Sequence, residues 1–324
     1  MSMTSPSLAL QSSVGSAPAS QAAAAAVART KRKGFGVPFW ILTGWLGVVT
    51  VCAIFGTHMP RGHVQPDYLT SSLINDGKWM KVFSWKHPLG VDPNGNDWLS
   101  AAIQGSRNSM IIAFATVFFG FIMGGGLGMV AGYARGKVDT ILSFITTVLL
   151  SFPPLLFIIL LLTILSVGND SSGIAQGLQS TVLKLSASLG ILSIPILFRV
   201  VRASTMQFAS REFVLAARAM GAKRGRILMR EILPNVIKPM AAYGLVAAGS
   251  VMVIEGGLSY LGIGIAGSSW AWGKMIATGS GLTILKKAPN VAFVPIAILF
   301  VTVLAFNFIG DKLRERFEVK QAGI

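Results

Sequence analysis

His87, Asp92 and Asp97 form the first group of residues in this sequence that could carry out chemistry. An imidazole and two carboxylates are common metal ligands, so a metal site is one interpretation. The three residues also flank a Pro-Asn-Gly segment, which is typical of a turn. We favour turn capping over metal binding, and we expect Asp97 to cap the helix that follows it.

Glu255 is the one acidic residue within the long apolar segments of the sequence. An ionisable side chain in such a segment is costly and normally faces protein or water. Glu255 is therefore a candidate for lining a pathway through a membrane or for a structural polar contact. The sequence leaves both interpretations open.

The third group lies in a basic, partly apolar segment, residues 211–235. Its first half has apolar residues at i, i+3, i+4 and i+7, which a helix would present on one face. The residues of this stripe are Phe213, Ala216, Ala217 and Met220. Gly221 follows where a helix usually stops, and a second short helix is predicted from about Arg226 to Leu233 and Pro234. Two short helices cannot bury the stripe themselves, so we predict that it docks in a groove on a partner.

The composition places these groups in a membrane protein. Of the 324 residues, 52% are hydrophobic and 12% are charged, which is too apolar for an ordinary soluble domain. Six apolar segments are near or above the ~20 residues needed to cross a bilayer. They are residues 37–56, 109–134, 140–167, 185–201, 240–261 and 291–310. We therefore predict an all-α, polytopic membrane protein with six transmembrane helices.

Basic residues flank the apolar segments, which explains the net charge of +16 without invoking nucleic acid. If the amino terminus is cytoplasmic, 19 of the 28 Lys and Arg residues also lie on that side. We therefore predict that both termini are cytoplasmic. The predicted domains are a disordered tail at 1–36, a transmembrane domain at 37–310 and a tail at 311–324. Residues 57–108 would form an external loop and residues 204–236 a cytoplasmic one.

Several residues predict local features of the spans. Pro153 and Pro154 interrupt the third segment, where we expect a kink or tilt. Trp270 and Trp272 are predicted to be aromatic anchors at the outer membrane interface. In the second segment, glycines recur every four residues and would let another helix approach closely. These are Gly120, Gly124, Gly128 and Gly132.

The segment 211–235 resembles the cytoplasmic EAA loop of ABC importer permeases, which docks into a groove on an ATPase subunit. The resemblance is carried by Leu-Ala-Ala at 215–217, Gly221, and Leu-Pro at 233–234. Residues 212–222 are similar to the variant found in the dipeptide/oligopeptide branch. The resemblance implies a set of ATPase-coupling residues, namely Glu212, Phe213, Ala216, Ala217, Arg218, Met220, Gly221, Leu233 and Pro234.

Two further stretches resemble motifs of the same branch. Residues 255–264 read Glu-Gly-Gly-Leu-Ser-Tyr-Leu-Gly-Ile-Gly and are similar to Glu-x-x-Leu-Ser-Phe-Leu-Gly-x-Gly. Residues 87–97 resemble His-x-Leu-Gly-Thr-Asp-x-x-Gly-Arg-Asp, with Val91 and Asn96 departing from it. Across about residues 37–320 the chain therefore resembles the second permease of a dipeptide/oligopeptide importer.

This resemblance implies a type I ABC importer permease-like fold and the import of di- or oligopeptides across the cytoplasmic membrane. It also implies a heterodimer with a sister permease, two ATPase subunits that bind ATP and Mg²⁺, an external solute-binding protein and surrounding lipid. The sequence has no Gly-x-x-x-x-Gly-Lys-Ser/Thr phosphate loop. We therefore predict that this chain is not an enzyme and binds no cofactor of its own.

Other functions are also compatible with the sequence. Relatives in the same branch move nickel or other small solutes. An ion-coupled secondary transporter would need titratable groups along its path, and only Glu255 qualifies. A non-transporting scaffold could use the basic segment to lie on anionic lipid. Copurification of an ATPase would separate the importer from the last two.

Overall fold

The computed structural model describes residues 36–58, 85, 87–92, 94–166, 178–265 and 269–322. The chain divides into two units, residues 1–40 and 41–324. In the first, only residues 36–40 are described, and they contain the start of the first helix. The predicted disordered tail thus falls almost entirely outside the described residues.

The described residues confirm the all-α prediction, since their only strand-like pairing is an isolated bridge between Val91 and Asp97. A short 3-10 turn, Gly56–His58, follows the first helix, and π-helical turns occupy Phe121–Gly125 and Ile227–Ile232. The α-helices are α1 (Val37–Phe55), α2 (Trp98–Gly120), α3 (Gly126–Ala134), α4 (Gly136–Leu150), α5 (Pro154–Ser166), α6 (Leu178–Ala209), α7 (Glu212–Ala219), α8 (Arg224–Arg226), α9 (Leu233–Tyr260), α10 (Trp272–Gly279), α11 (Leu282–Lys287) and α12 (Asn290–Ala322).

Five continuous helical stretches in the described part of the chain are long and apolar enough to cross a membrane. They are Val37–Phe55, Trp98–Ala134, Thr181–Ala209, Arg224–Tyr260 and Asn290–Phe317. The predicted third span is a broken pair, α4 and α5, bent by 92°. The expected kink is thus a sharp corner, because Pro153 and Pro154 lack the N–H groups that continue a helix. Counting the pair as one span gives the predicted six.

The helices extend beyond the apolar segments. Helix α2 begins at Trp98, inside the predicted external loop, because the Asp97 carboxylate accepts the backbone N–H of Ser100 at 2.9 Å and caps the helix. Helix α12 runs to Ala322 through most of the predicted C-terminal tail. Hydropathy locates the apolar part of a helix, whereas capping and backbone hydrogen bonds set its ends.

The four spaced glycines of the second span lie against α6. A Cβ atom at Gly128 would lie 2.6 Å from the Phe198 carbonyl oxygen, and one at Gly132 would lie 2.7 Å from that of Arg202. At Gly124 a Cβ would overlap the Ile194 carbonyl group, and at Gly120 it would overlap Ser193. The α2–α3 span and α6 therefore approach at backbone distance, which only glycine permits.

The prediction for Trp270 and Trp272 is wrong, because their side chains are 6% and 1% exposed and belong to the core. The Trp272 indole N–H donates to the Ala102 carbonyl at 3.1 Å, and that of Trp98 donates to the Val291 carbonyl at 3.1 Å. The Trp98 and Trp270 rings meet edge to face, with centroids 5.6 Å apart. Each hydrogen-bonded indole satisfies its one polar group within the packed core.

Candidate functional site: the loop between α6 and α9

Helix α7 is fixed to the neighbouring spans by one buried face. Val214 and Ala217 are 0% and 7% exposed, and they belong to a cluster with Phe208 of α6 and Ile232. The other buried members of this cluster are Val201, Ala209, Ile227, Val236 and Met240. Because close-packed contacts of this kind transmit displacement, a force on α7 would reach both α6 and α9.

The structure divides the predicted apolar stripe. Phe213, Ala216 and Met220 are exposed, and Met220 is 82% exposed, but Ala217 is buried within the chain. The expectation of one continuous exposed stripe is therefore wrong at Ala217. Val214, which lies outside the stripe, joins Ala217 in the contact with the spans and sets the inward direction of α7. A charge at position 217 would disturb this internal packing before it could affect a partner.

The outward side of α7 combines apolar and charged groups. Phe213 is 37% exposed and lies beside the exposed Ala216 and Met220. Glu212 and Arg218 are also exposed, and they lie in the first and last turns of the helix. We call Phe213, Ala216 and Met220 the outward face. It is apolar and small at its centre, which suits close contact with another protein surface.

Gly221 ends α7 as the sequence predicted. Its φ is +79°, in the left-handed region that favours glycine. The Gly221 N–H donates to the Arg218 carbonyl at 3.0 Å, and the Ala222 N–H donates to the Ala217 carbonyl at 3.1 Å. These two bonds form a Schellman cap. The cap directs the chain away from α7 and back toward the spans.

We expect Gly221→Ala to loosen this cap, and we expect Gly225→Ala to leave the cap unchanged. A Cβ at either position meets no atom within 4 Å, so the difference between them is the positive φ at Gly221 alone. The left-handed conformation costs an alanine roughly 1 kcal/mol or more, whereas alanine in the short helix α8 is favourable. Faster amide hydrogen exchange in 212–222 for the first variant only is the expected result. Equal exchange in both variants would contradict the role of Gly221.

Leu233 and Pro234 do not end a second short helix, so that part of the prediction is wrong. The π-helical turn Ile227–Ile232 leads directly into α9, and Pro234 lies in its first turn. Leu233 donates its N–H to the Leu228 carbonyl, five residues back. Proline is tolerated there because the first turn of a helix needs no N–H at that position. The loop is therefore continuous with the α9 span.

An ion pair that the sequence does not predict joins α4 and α6. Arg202 of α6 donates through Nε and Nη2 to the two carboxylate oxygens of Asp139 in α4, with the Nη2 contact at 2.6 Å. The Ser143 hydroxyl also donates to Asp139. Asp139 and Arg202 flank the third and fourth apolar segments in the sequence, but nothing there links residues 63 positions apart. The bidentate pair fixes α4 to α6.

Glu255 lies at a second polar site, far from the loop along α9. Its side chain is 0% exposed. The Ser259 hydroxyl donates to Oε1 at 2.8 Å, and the Ser109 hydroxyl donates to Oε2 at 3.3 Å. The Ser109 oxygen in turn accepts the Trp272 backbone N–H at 3.3 Å. In this structure Glu255 therefore makes a structural polar contact that joins α9, α2 and the start of α10.

We expect Glu255→Ala to destabilise the protein by about 2 kcal/mol or more, because it leaves a cavity and removes the acceptor of two buried hydroxyls. Glu255→Gln keeps the shape of the side chain and one acceptor oxygen, so it should destabilise the protein less than Glu255→Ala does. The measurement is the temperature at which the detergent-purified chain loses its monodisperse elution peak. A larger loss for glutamine than for alanine would show that the charge of Glu255 matters more than its packing.

The residues first considered as metal ligands make local contacts. The Asp92 carboxylate accepts the backbone N–H groups of Asn94 at 2.9 Å and Asn96 at 2.7 Å. His87 Nδ1 lies 2.9 Å from Asp97 Oδ1, while Asp97 Oδ2 caps α2. Asp92 and Asp97 therefore act as the turn and helix caps that the sequence predicted.

Comparison with known proteins agrees with this architecture. Residues 124–320 match the family described as the inner membrane component of binding-protein-dependent transport systems, and this chain belongs to that family. A dipeptide transport system permease protein, DppC, of Alkalihalophilus pseudofirmus is 31% identical over 73% of this chain and 73% of its own length. The glutathione transport system permease protein GsiD of Pectobacterium atrosepticum is 32% identical over 78% of each chain.

The solved structures give the same fold. A chain of the methionine ABC transporter MetNI, in an inward-facing conformation, covers 66% of this chain and 95% of its own length with a TM-score of 0.53. At 19% identity this likeness concerns the fold alone. The predicted importer-permease fold is confirmed. The protein is a multi-pass membrane permease subunit of a transport system that depends on a binding protein.

Proposed function

We propose that this chain is one of two permease subunits of an ATP-driven peptide importer. The relatives are named as permeases for dipeptides and glutathione, both of which are peptides, which supports this substrate class over nickel. The chain would pair with a sister permease, receive peptide from the external binding protein and perform no catalysis itself. ATP and Mg²⁺ would be held by two ATPase subunits. The loop and both termini would lie in the cytoplasm.

The proposed coupling of the ATPase to the membrane spans rests on one observation, namely that α7 has two different faces. Val214 and Ala217 fasten it to α6 and α9, while Phe213, Ala216 and Met220 remain exposed. An ATPase bound to the outward face would push on the spans through the buried face, so that ATP-driven closure would change access to the pathway. Glu212 and Arg218 at the edges of this face would orient the ATPase.

The test is a charge on the outward face. We expect Met220→Glu and Ala216→Glu to reduce both copurification of the ATPase subunits and uptake of a labelled dipeptide tenfold or more, since a carboxylate would be buried without a partner in the docked complex. Met229→Glu is the matched control, because Met229 is 58% exposed in the same loop but lies beyond α7. The control should retain both activities.

The outcomes separate the alternatives. Normal uptake in the Met220→Glu variant would exclude the coupling role of the outward face. Dipeptide uptake without any copurifying ATPase would favour an ion-coupled transporter instead. Competition of the labelled dipeptide by glutathione, but not by Ni²⁺, would support the proposed substrate class.

A further inference from the structure

A basic cavity of ≈ 640 Å³ opens beside the loop, separate from the outward face of α7. It lies between the last turns of α6, the start of α9 and the polar end of α12. Arg199 of α6, Arg211 at the N-cap of α7 and Arg314 of α12 contribute to its wall. None of the described residues that line it is acidic. Three guanidinium groups around one cavity create a strongly positive potential that favours an anion.

The remaining polar lining consists of groups that can donate hydrogen bonds. Ser204 and Gln207 come from α6, and Tyr243 comes from α9. Guanidinium groups bind planar or tetrahedral oxyanions through paired N–H donors, and phosphate accepts several such bonds at once. The donor set therefore suits a phosphate group better than it suits a cation or a neutral solute.

One wall of the cavity is apolar. Val200, Ala203 and Pro239 line it beside the arginines and are partly or fully exposed, whereas Phe208 and Met240 lie behind them in the buried cluster. A free phosphate ion would leave this wall in contact with water, whereas the acyl chain of a lipid would cover it. Arg199 and Arg314 also lie near the ends of the apolar segments 185–201 and 291–310, which is the level at which lipid head groups meet a membrane protein. A ligand with a phosphate head and an apolar tail fits both halves of the cavity.

We propose that this cavity binds the phosphate head group of an anionic phospholipid, with the acyl chains lying against Val200, Ala203 and Pro239. Basic pockets between helices at the membrane surface are suited to such head groups. A lipid bound here would bridge α6, α9 and α12 next to the root of the loop. This site is independent of the proposed peptide substrate.

The test measures lipid retained by the full chain in its assembled transporter. The probe is phosphatidylglycerol, added to nanodiscs of otherwise neutral phosphatidylcholine and detected by native mass spectrometry after release. The test variant carries Arg199→Gln, Arg211→Gln and Arg314→Gln. The matched control carries Lys223→Gln, Arg224→Gln and Arg226→Gln, which removes three exposed charges from the same loop outside the cavity. Arg314→Gln alone provides a milder variant if the triple variant is poorly expressed.

We expect the cavity variant to retain phosphatidylglycerol roughly tenfold less than the unaltered chain, the single variant to show a smaller loss, and the control to change little. Equal loss in the control would overturn the proposal in favour of general surface charge. Two competition arms address other anions. Displacement of the lipid by millimolar inorganic phosphate would identify a free-phosphate site, and displacement by a dipeptide would identify a substrate site. Either displacement would overturn the lipid assignment.

Discussion

Gly124→Ala should greatly reduce the amount of folded protein in the membrane, while Gly126→Ala, two residues away, should leave that amount unchanged. A Cβ at position 124 would overlap the backbone of Ile194, which cannot move without displacing α6. A Cβ at position 126 meets no atom within 4 Å. We expect the free energy of unfolding of Gly124→Ala to fall by about 3 kcal/mol or more. The added methyl group would press on backbone atoms, and no flexible side chain could move aside to make room for it.

The measurement for this pair is the yield and thermal stability of the monodisperse peak in detergent. Gly126→Ala should match or slightly exceed the unaltered chain, because alanine favours a helix over glycine. Similar behaviour of the two variants would mean that the α2–α3 span does not contact α6 at backbone distance. Gly128→Ala should behave like Gly124→Ala, since its Cβ would lie 2.6 Å from the Phe198 carbonyl oxygen.

Trp272→Ala is the second variant for which we expect a large effect. Its free energy of unfolding should fall by about 3–5 kcal/mol. Its side chain is 1% exposed and joins α10 to α2 through the bond to the Ala102 carbonyl. Its backbone N–H also contacts Ser109, which holds Glu255. Removing the indole would therefore create a cavity between α10 and α2.

Trp272→Phe separates packing from hydrogen bonding. It retains most of the ring volume and loses the indole N–H, so we expect the free energy of unfolding to fall by about 1–2 kcal/mol, because one buried hydrogen bond is lost and a small void is left. The measurement is again the thermal midpoint of the monodisperse peak. If Trp272→Ala were tolerated as well as Trp272→Phe, the side chain would be a lipid-facing anchor rather than part of the core.

The sequence by itself was sufficient for features that depend on neighbouring residues. Apolar runs of sufficient length predicted the spans, because the bilayer thickness fixes the length of a crossing helix. Asp97 and Gly221 predicted helix ends, since a cap needs only the residues of its own turn. The four-residue glycine spacing predicted a close helix contact, although it could not identify α6 as the partner.

The tertiary structure decided which faces those helices bury. Val214 and Ala217 turn inward because α6 and the π-helical turn before α9 present an apolar cluster to them, and the periodicity of α7 alone allowed a different face. Local spacing specifies a helix and its apolar stripe, but the direction of that stripe depends on which other elements are packed nearby.

The long-range polar pairs likewise could not be predicted from the sequence. Arg202 binds Asp139 across 63 positions, and Ser109 binds Glu255 across 146. A buried polar group needs a partner, so the sequence could state that Glu255 required one. The identity of the partner depends on how the helices cross in space. That crossing geometry could not be predicted from the sequence of a single chain.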